Sequence, residues 1–543
     1  MSTTLPTRVF MNKTYRNFAS TTNATPQTQP IPGRESEMSK NSAGGYTFTV
    51  TNWSRLERFL ILGAEGNTYY TSGRELTEQN AKNVIDLIKT AGPAVVARIV
   101  EVSDSGRAPK NEPALFALSL AMTYGDADTK RAAYEALPKV ARIGTHVLHL
   151  AEYVNAMRGW GRGVRRAFGN WYLSQTPKGL ATNLVKYANR DGWTHRDILR
   201  LAHPAGEGVY QNLLAYAANK PTDFSGTAVE QFMAAVDAVK TADAKTAAKL
   251  ISENKLPREV LPTQLLNERI VWEALLPHMG ITALVRNLAT MTRIGLLTPM
   301  SATEKVVLAK LVDEDVITKG RIHPIQMLSA LRTYDSGRSV RGNNVWTPNA
   351  RISGALEDGF YASFKTIKPT GKNFYLAIDV SSSMTWGEIA GVPGLTPNVA
   401  AAVMAMVTAR TEQNYFIGGF THGIVELGIS AKDTLATATK KTQDRSFGGT
   451  DASLPPKDAM KKNMNVDTFV VYTDNETWAG SSAPVQALNQ YRNKSGINAR
   501  MVSVGFTATE SSIADPKDVG MLDVVGFDSA APAIIADFSR GVL

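Results

Sequence analysis

The pattern of apolar residues changes close to residue 370, and this change limits the chain to at least two kinds of domain. Between about residues 46 and 368, successive segments repeat apolar residues at helical spacing, with short Gly/Pro breaks between them. After the KPTG sequence at 368–371, short apolar runs alternate with helical segments instead. The length of 543 residues is also too great for one hydrophobic core, so several domains are expected.

The region before this junction is predicted to be all-helical. Residues 80–89 place their apolar side chains on one stripe, and residues 113–122 begin with a proline, which suits the first position of a helix. The other segments with helical spacing are 129–137, 145–157, 164–173, 182–190, 194–202, 227–239, 269–276, 281–291 and 302–311. Paired helices of this length predict an α-solenoid of helical hairpins with HEAT-like stacking, although the sequence has no fixed repeat period.

The region from 369 to 543 is predicted to be an α/β domain with a doubly wound sheet. Its apolar runs have the length and content of buried parallel strands. The predicted strands are 373–379, 415–420, 467–472 and 499–504, and the predicted helices are 397–411, 454–462 and 484–494. In sheets of this kind, ligands bind at the carboxyl ends of the strands.

Oxygen-bearing side chains stand at those predicted strand ends. Asp379, Ser381 and Ser383 follow the first strand, Thr450 lies on a glycine-rich loop, and Asp474 ends another strand. Carboxylates and hydroxyls suit a hard divalent cation, Mg²⁺ first, with Mn²⁺ or Ca²⁺ as alternatives. The sequence therefore predicts one divalent-cation site on these five residues. The competing interpretation is a strand-end turn capped by Asp and Ser, without a metal.

The same five residues resemble the metal-ion-dependent adhesion site of von Willebrand factor A domains, in which Asp-x-Ser-x-Ser is followed by Thr and Asp. The resemblance implies a cation with an open coordination position that takes an acidic group from a partner. One alternative is a metal-dependent ribonuclease that uses Asp379 and Asp474, with Asp451 and Glu476 as neighbours of a second ion. Another is a protein-binding adaptor that acts through the metal site and has an incidental basic surface. Because such an enzyme needs several clustered carboxylates, the non-catalytic interpretation is preferred.

The excess of positive over negative charge lies entirely in the part of the chain before residue 369. The formal net charge is +10, yet residues 369–543 carry 14 basic and 17 acidic residues. The preceding part therefore holds the other 45 of the 59 basic residues and 32 of the 49 acidic ones. This asymmetry indicates a polyanionic partner for the helical region, and generic solubility is the alternative explanation.

The densest basic stretch runs from residue 158 to residue 200. Its candidate RNA-binding residues are Arg158, Arg162, Arg165, Arg166, Lys186, Arg190, Arg196 and Arg200. Lys186 and Arg190 are four apart in one predicted helix, as are Arg196 and Arg200 in the next, so each pair is expected to share a face.

Aromatic residues lie between these charges. They are Trp160, Trp171, Tyr172, Tyr187 and Trp193. Arginines and stacking aromatics together suit single-stranded RNA, but the aromatics can equally belong to the core. His195 has three interpretations from the residues alone: a helix-start residue, a core histidine or an RNA contact.

Residues 1–45 are predicted to be a flexible N-terminal arm that ends at a Gly-Gly pair. The first 34 residues contain four basic residues and no acidic ones, a composition found both in transit peptides and in disordered polar tails.

The chain has no cysteine, which excludes disulfides, thiolate metal sites and cysteine nucleophiles and favours a cytoplasmic setting. No apolar run reaches the roughly 20 residues of a membrane span, so no membrane partner is expected.

Nine short motifs before residue 373 carry a resemblance to a known family. They are 55–60 (RLERFL), 63–70 (GAEGNTYY), 142–146 (RIGTH), 160–162 (WGR), 192–201 (GWTHRDILRL), 282–288 (TALVRNL), 323–324 (HP), 331–337 (LRTYDSG) and 368–372 (KPTGK). Together they resemble the TROVE module of the Ro autoantigen family, and in particular its bacterial members, as in Deinococcus. The match covers about residues 46–390 and extends more loosely over the A-type domain. The long N-terminal arm and the 385–397 loop depart from the family pattern.

The Ro resemblance implies an architecture and a function. It implies a monomeric HEAT-like α-solenoid ring over residues 46–368, closed by a Rossmann-like von Willebrand factor A domain over 369–543. It implies Y RNA on the basic outer surface and single-stranded 3′ ends of misfolded RNA in the central hole. Arg142, His146 and His195 then join the candidate RNA contacts. The protein would be a non-catalytic adaptor in RNA quality control, with a 3′-to-5′ exonuclease such as polynucleotide phosphorylase as partner.

Overall fold

A computed structural model describes residues 24–63, 73–339, 343–364, 368–389, 395–443 and 448–542. The first part of the predicted N-terminal arm, most of the motif at 63–70 and the centre of the 385–397 loop lie outside these described residues. Within the described residues, no helix is long and apolar enough to cross a membrane.

Residues 24–49, called here the N-terminal strap, are not the flexible arm that composition predicted. They contain two antiparallel strands, β1 (Met38–Lys40) and β2 (Tyr46–Thr49), and β2 also pairs with residues 511–512. Ile31 and Phe48 are buried in an apolar cluster with residues of the C-terminal domain. The prediction was wrong for residues 24–45, because the partners of this polar segment lie more than 400 residues away in sequence.

The helical region follows the strap. Its helices are α1 (Asn52–Leu62), α2 (Gly73–Asp104), α3 (Glu112–Tyr124), α4 (Ala127–Val140), α5 (Gly144–Met157), α6 (Arg162–Leu173), α7 (Pro177–Lys186), α8 (His195–Ala202), α9 (Val209–Ala217), α10 (Glu230–Ala238), α11 (Ala244–Asn254), α12 (Arg269–Leu275), α13 (Ile281–Arg293), α14 (Ala302–Val312), α15 (Glu314–Gly320), α16 (Pro324–Asp335) and α17 (Ala350–Ala362). A short hairpin, β3 (Asn189–Arg190) and β4 (Trp193–Thr194), separates α7 from α8.

Local sequence explains where many of these helices begin. Side chains of Ser, Thr or Asp at the N-cap accept a hydrogen bond from the backbone N–H three residues on, which satisfies a donor that has no partner inside the helix. The N-caps of this kind are Thr51, Asp126, Thr176, Thr194, Asp243 and Ser301.

The helix predicted over residues 80–89 is part of the longer α2, which departs from helical geometry at Ala91, close to Pro93.

The early helices stack in two layers. Helix α3 packs on α5 and α5 on α7, whereas α2 packs on α4, α4 on α6 and α6 on α8. This alternation is the geometry of stacked helical hairpins, and it confirms the predicted HEAT-like arrangement.

The two ends of the helical region meet. The side chain of His323, at the start of α16, hydrogen bonds to the carbonyl oxygen of Arg107 after α2, at 3.0 Å. Gln326 Nε2 donates to the carbonyl oxygen of Pro109 at 3.1 Å, and Arg321 pairs with Asp104 at 2.9 Å. The helical region therefore returns to its own beginning, as the predicted ring requires.

The C-terminal domain has a six-stranded sheet covered by helices on both faces. Its strands are β5 (Asn373–Asp379), β6 (Asn414–Phe420), β7 (Ile424–Glu426), β8 (Thr468–Thr473), β9 (Arg500–Gly505) and β11 (Met521–Val525), with β10 (Ser511–Ser512) as the partner of β2. Its helices are α18 (Pro397–Thr411), α19 (Leu435–Gln443), α20 (Leu454–Lys461), α21 (Pro484–Ser495) and α22 (Ala531–Arg540). The strand order is β11-β9-β8-β5-β6-β7, parallel except for the edge pair β6–β7.

The predicted α/β architecture is therefore confirmed. Helix α18 is buried along nearly its whole length, which explains its Ala-, Val- and Met-rich sequence. The domain contacts both ends of the helical region: Arg107 pairs with Asp528 at 2.6 Å, and Arg410 of α18 pairs with Glu357 of α17 at 2.9 Å.

Candidate functional site

The predicted cation ligands come from loops at one edge of the C-terminal sheet. Asp379 is the last residue of β5, and Asp474 directly follows β8. Because β5 and β8 are adjacent and parallel, their carboxyl ends lie side by side. The strand order alone brings these two carboxyl groups to the same place.

Hydrogen bonds connect four of the five predicted ligands. The backbone N–H of Ser381 donates to Asp379 Oδ1 at 2.9 Å, and the hydroxyls of Ser381 and Ser383 are 3.2 Å apart. The Ser383 side chain in turn hydrogen bonds to Asp474. Thr473 Oγ1 donates to Asp379 Oδ2 at 2.8 Å, so this carboxyl group is held on both oxygens.

Thr450 joins the group through its backbone. Its carbonyl oxygen accepts from the backbone N–H groups of Trp478 and Ala479, both at 2.9 Å, and from the Thr477 hydroxyl at 3.1 Å. The loop of Thr450 is thereby attached to the loop that follows Asp474. Like the other four predicted ligands, Thr450 is at most 4% exposed.

The electrostatics of the site favour a cation. Burial and the neighbouring Asp474 raise the pKa of Asp379 to about 7, although hydrogen bonds from Ser381 and Thr473 oppose the shift. Burial likewise raises the pKa of Asp474. Two buried carboxyl groups that repel each other, with hydroxyls between them, fit a divalent cation, which would offset both charges.

The two acidic neighbours of the site face the N-terminal strap. Asp451 Oδ1 accepts from Gln27 Nε2 at 2.8 Å, and Glu476 Oε2 accepts from the backbone N–H of Ala43 at 2.9 Å. Burial, followed by the charge of Asp474, raises the pKa of Glu476 to about 8. Within the described part of the chain, no group of three or more His, Asp or Glu side chains could hold a metal. A cation here therefore depends on the hydroxyl ligands.

Two exposed tryptophans border the site. Trp386 is 62% exposed, and its backbone N–H donates to the carbonyl oxygen of Ser383 at 3.1 Å. Trp478 is 40% exposed and bonds through its backbone to Thr450. Trp386 belongs to the 385–397 loop, which the sequence analysis identified as a departure from the family pattern. Trp478 was missed, and its only signal in the sequence is its position four residues after Asp474.

The basic stretch does place exposed arginines on α6, α8 and the β3–β4 hairpin. These exposed arginines are Arg162, Arg165, Arg166, Arg190, Arg196 and Arg200, whereas Lys186 is half-buried. Arg158 is also exposed but caps the end of α5, where it donates to the Tyr134 hydroxyl at 2.9 Å. Arg196 and Arg200 both lie on α8, as predicted. The prediction of one helix over 182–190 was wrong, because α7 ends at Lys186 and Arg190 belongs to β3.

Contacts with α5 hold the hairpin that carries Arg190. Arg190 Nε donates to His149 Nε2 at 3.2 Å, and the other ring nitrogen of His149 contacts the carboxylate of Asp191. Trp193 Nε1 donates to Glu152 Oε2 at 2.6 Å. The hairpin is thus fixed to the helical stack by side chains that sequence reasoning did not single out.

The two candidates taken from the RIGTH motif are half-buried. Arg142 Nη1 donates to Ser103 Oγ at 2.9 Å, and His146 Nδ1 lies 3.3 Å from Asn111 Nδ2. Burial and then the nearby charge of Arg142 lower the pKa of His146 to about 3. Both residues adjoin the loop after α2, beside the place where the ends of the helical region meet.

His195 is a core residue, and its burial argues against the predicted RNA contact. It is the first residue of α8 and is only 3% exposed. Its Nδ1 hydrogen bonds to the Tyr172 hydroxyl at 2.9 Å, and its ring stacks with that of Trp171. The RNA contact does not fit this position, because α6 covers the imidazole.

The aromatic residues of the basic stretch include a buried pair and a half-buried pair. Trp171 and Tyr172 are buried, so the core interpretation holds for them. Trp160 and Trp193 are half-buried and stack on each other with ring centres 5.7 Å apart. Neither of this pair presents two open faces to a base.

A ring of stacked helical hairpins joined to a von Willebrand factor A-type domain defines the class of this protein, and comparison with known proteins gives the family. Residues 39–256 and 243–333 match the TROVE domain model, and residues 373–539 match the model of the Ro60 vWA domain. The chain therefore belongs to the Ro60 family of TROVE proteins.

Individual relatives agree with this assignment. The chain is 42% identical over 523 residues to the "RNA-binding protein RO60" of Deinococcus radiodurans, covering 95% of this chain and 97% of that one. It is 32% identical over 582 residues to the "RNA-binding protein RO60" of Caenorhabditis elegans, covering 92% and 90% of the two chains. The crystal structure of the Deinococcus radiodurans RO (RSR) protein matches with a TM-score of 0.69 and 41% identity, over 91% of this chain and all of that one.

Proposed function

We propose that this protein is a non-catalytic RNA-binding scaffold. The single observation that carries the proposal is the exposed arginine surface on α6, α8 and the β3–β4 hairpin, in a chain whose relatives are named RNA-binding proteins. Arginine suits this role because its guanidinium group binds phosphate through paired hydrogen bonds.

The family resemblance supports a more specific form of the proposal. Y RNA binds the arginine surface, and single-stranded 3′ ends of misfolded RNA enter the hole of the ring. The bound RNA then passes to a 3′-to-5′ exonuclease, such as polynucleotide phosphorylase, in the cytoplasm. The meeting of α16 with the loop after α2 supports the closed ring that this path needs.

Charge reversal on α8 tests the proposed RNA surface. The double variant Arg196→Glu/Arg200→Glu replaces two positive charges of α8 by two negative ones. We expect its RNA dissociation constant to rise at least about tenfold, and the salt dependence of binding to lose about two phosphate contacts. The matched control is Lys245→Glu/Lys249→Glu, which makes the same charge change at the same spacing on exposed positions of α11.

Filter binding of a structured RNA with a free 3′ tail, measured over a range of salt concentrations, gives both quantities. Equal weakening in the two double variants would contradict the assignment of the surface to α8, because net charge alone would then explain it. Unchanged binding in both would contradict RNA binding by this face.

The metal-binding part of the proposal is an anchor for a partner. Asp379, Ser381, Ser383, Thr450 and Asp474 would hold one divalent cation, which supplies a positive charge with a free position for an acidic ligand. The exposed indoles of Trp386 and Trp478 beside the site support this role, since such surfaces favour interaction with another molecule.

Ribonuclease activity is the competing function. The acidic neighbours Asp451 and Glu476 are hydrogen bonded to the N-terminal strap. Asp379 and Asp474 are therefore the two carboxylates available to a metal, which is fewer than a two-metal site uses. RNA incubated with this protein and Mg²⁺ should therefore stay intact. Cleavage that is lost in Asp379→Ala would favour the enzyme over the scaffold.

A further inference from the structure

The N-terminal strap contacts both loops that complete the candidate cation site. One loop, residues 450–453, carries Thr450, and the other, residues 474–482, carries Asp474. The first loop lies between helices α19 and α20, and the second follows strand β8. The strap belongs to neither loop, yet its side chains enter the space between the two loops.

Gln27 makes the central contacts of the strap. Its side chain is buried at 1% exposure, and its Nε2 donates to Asp451 Oδ1 at 2.8 Å and to the carbonyl oxygen of Ser482 at 3.0 Å. Its Oε1 accepts from the hydroxyl of Thr477. The amide group of Gln27 therefore contacts both loops. Its N–H group donates to Asp451, the residue after Thr450, and its oxygen accepts from Thr477 on the loop of Asp474.

Thr477 extends this connection to the ligand loop itself. Its single hydroxyl proton is shared between Gln27 Oε1 and the carbonyl oxygen of Thr450, which is 3.1 Å from Oγ1, and Oγ1 accepts from the backbone N–H of Ala452 at 3.1 Å. The chain of contacts from Gln27 through Thr477 therefore ends on a predicted ligand.

A second part of the strap holds the loop of Asp474. Asn41 Nδ2 donates to the carbonyl oxygen of Thr477 at 2.9 Å, and the backbone N–H of Ala43 donates to Glu476. The strap backbone approaches so closely at Gly45 that a Cβ there would lie 1.9 Å from the carbonyl oxygen of Thr477. A Cβ at Gly480 would likewise lie 2.2 Å from Gln27 Nε2. The strap and the loops therefore pack so closely that neither Gly45 nor Gly480 leaves space for a side chain.

We propose that the N-terminal strap is a brace of the cation site, with Gln27 as its principal positioning residue. It holds the loop of Thr450 and the loop of Asp474 at a fixed separation, so that hydroxyl and carboxylate oxygens stay in place for the ion. The proposal rests on the cation site proposed above. Such outer contacts matter because ligands that are not held in place lose affinity for the metal.

The test measures binding of Mn²⁺ to the full-length protein. Gln27→Met keeps the length of the side chain and removes its hydrogen bonds to Asp451 and Thr477. We expect its Mn²⁺ dissociation constant to rise roughly tenfold or more. Thr25→Val is the matched control: Thr25 is also a buried strap residue, but its side chain accepts from Gln486 on α21, not from a ligand loop. This control should bind Mn²⁺ as the unaltered protein does.

Thermal unfolding in EDTA separates positioning from loss of the fold. We expect Gln27→Met and Thr25→Val to unfold at similar temperatures, so that only the affinity for Mn²⁺ distinguishes them. If Gln27→Met is unfolded, Gln27→Asn takes its place, since it keeps the amide group but is one methylene too short to reach both loops.

The outcomes distinguish the brace from the cation site on which it rests. If the unaltered protein shows no Mn²⁺ binding that Asp379→Ala abolishes, the site itself is wrong, and the brace with it. If the unaltered protein binds Mn²⁺ and a folded Gln27 variant binds it equally well, only the brace is overturned. Weakening in Gln27→Met but not in Thr25→Val supports the brace.

Discussion

The imidazole Nε2 of His323 donates a hydrogen bond to the carbonyl oxygen of Arg107, 216 positions earlier in the chain and 3.0 Å away. The other ring nitrogen, Nδ1, accepts from the backbone N–H of Ile325 at 3.1 Å and so caps α16. Both bonds use the neutral ring, with the proton on Nε2. One histidine therefore joins the two ends of the helical region and starts a helix.

The stability of the protein should fall in acid because of His323. Burial lowers the pKa of His323 to about 4, against the opposing effect of the carbonyl oxygens of Arg107 and Phe527, while the ordinary value is 6.5. The unfolded state therefore takes up the proton first. The contribution to stability is full above pH 6.5 and decreases as the pH falls towards about 4. It is of the order of 3 kcal/mol.

Urea unfolding at several pH values between about 7 and 5 checks this prediction. His323→Asn keeps a capping side chain and removes the titrating ring, so its stability should depend less on pH. His278→Asn, at an exposed position of the same region, is the control and should keep the full dependence. The same slope in all three proteins would contradict the prediction.

The contact between the ring and the C-terminal domain depends on Arg107. Its guanidinium pairs with Asp528, which is 1% exposed. Arg107→Met leaves that carboxylate buried without its partner and should lower the free energy of unfolding by about 3–5 kcal/mol. Arg98→Met is the control, because Arg98 pairs with Glu101 on an exposed face of α2 and its loss should cost less than about 1 kcal/mol.

Denaturant unfolding measures both values. If Arg107→Met loses no more stability than Arg98→Met, the contact does not hold the domain to the ring.

Replacement of Asp379 should separate metal binding from RNA binding. Asp379→Asn removes one of two buried carboxylates that repel each other, so the variant should be at least as stable as the unaltered protein in EDTA. Added Mg²⁺ should raise the unfolding temperature of the unaltered protein and of Asp537→Asn, a half-buried control on α22 that is not a predicted ligand, but not that of Asp379→Asn. RNA affinity should stay the same in all three, because the sheet edge is separate from α6 and α8. A large loss of RNA binding in folded Asp379→Asn would contradict this separation.

Neighbouring residues on α8 should behave differently towards RNA. His195→Leu leaves the buried Tyr172 hydroxyl without its partner, so the free energy of unfolding should fall by about 1–3 kcal/mol with little effect on RNA. Arg196→Ala removes an exposed charge, so stability should hardly change and the salt dependence of RNA binding should fall by about one phosphate contact. A change in salt dependence for folded His195→Leu would instead support direct contact by His195.

Sequence patterns were accurate where local periodicity decides the structure. Strand β5 and helix α18 have the predicted bounds, and the other predicted strands and helices of the C-terminal domain agree within one residue. The predicted ligands Asp379 and Asp474 lie together for the same reason, since parallel strands end at one edge of the sheet. The prediction failed at Arg190, because a hairpin fixed by His149 and Glu152 of α5 replaces the end of a helix.

The sequence by itself determined the two-part architecture, the edge of the sheet where a cation would bind, and the helices that carry most of the exposed arginines. Each of these follows from spacing over a few residues, which local geometry converts directly into a face or a strand end. Only the tertiary structure decided that His195 lies in the core, that His323 joins the ends of the ring, and that Gln27 reaches the loops of Thr450 and Asp474. Those contacts join residues far apart in the chain, and a pattern in the sequence does not record which distant groups come to share one buried space.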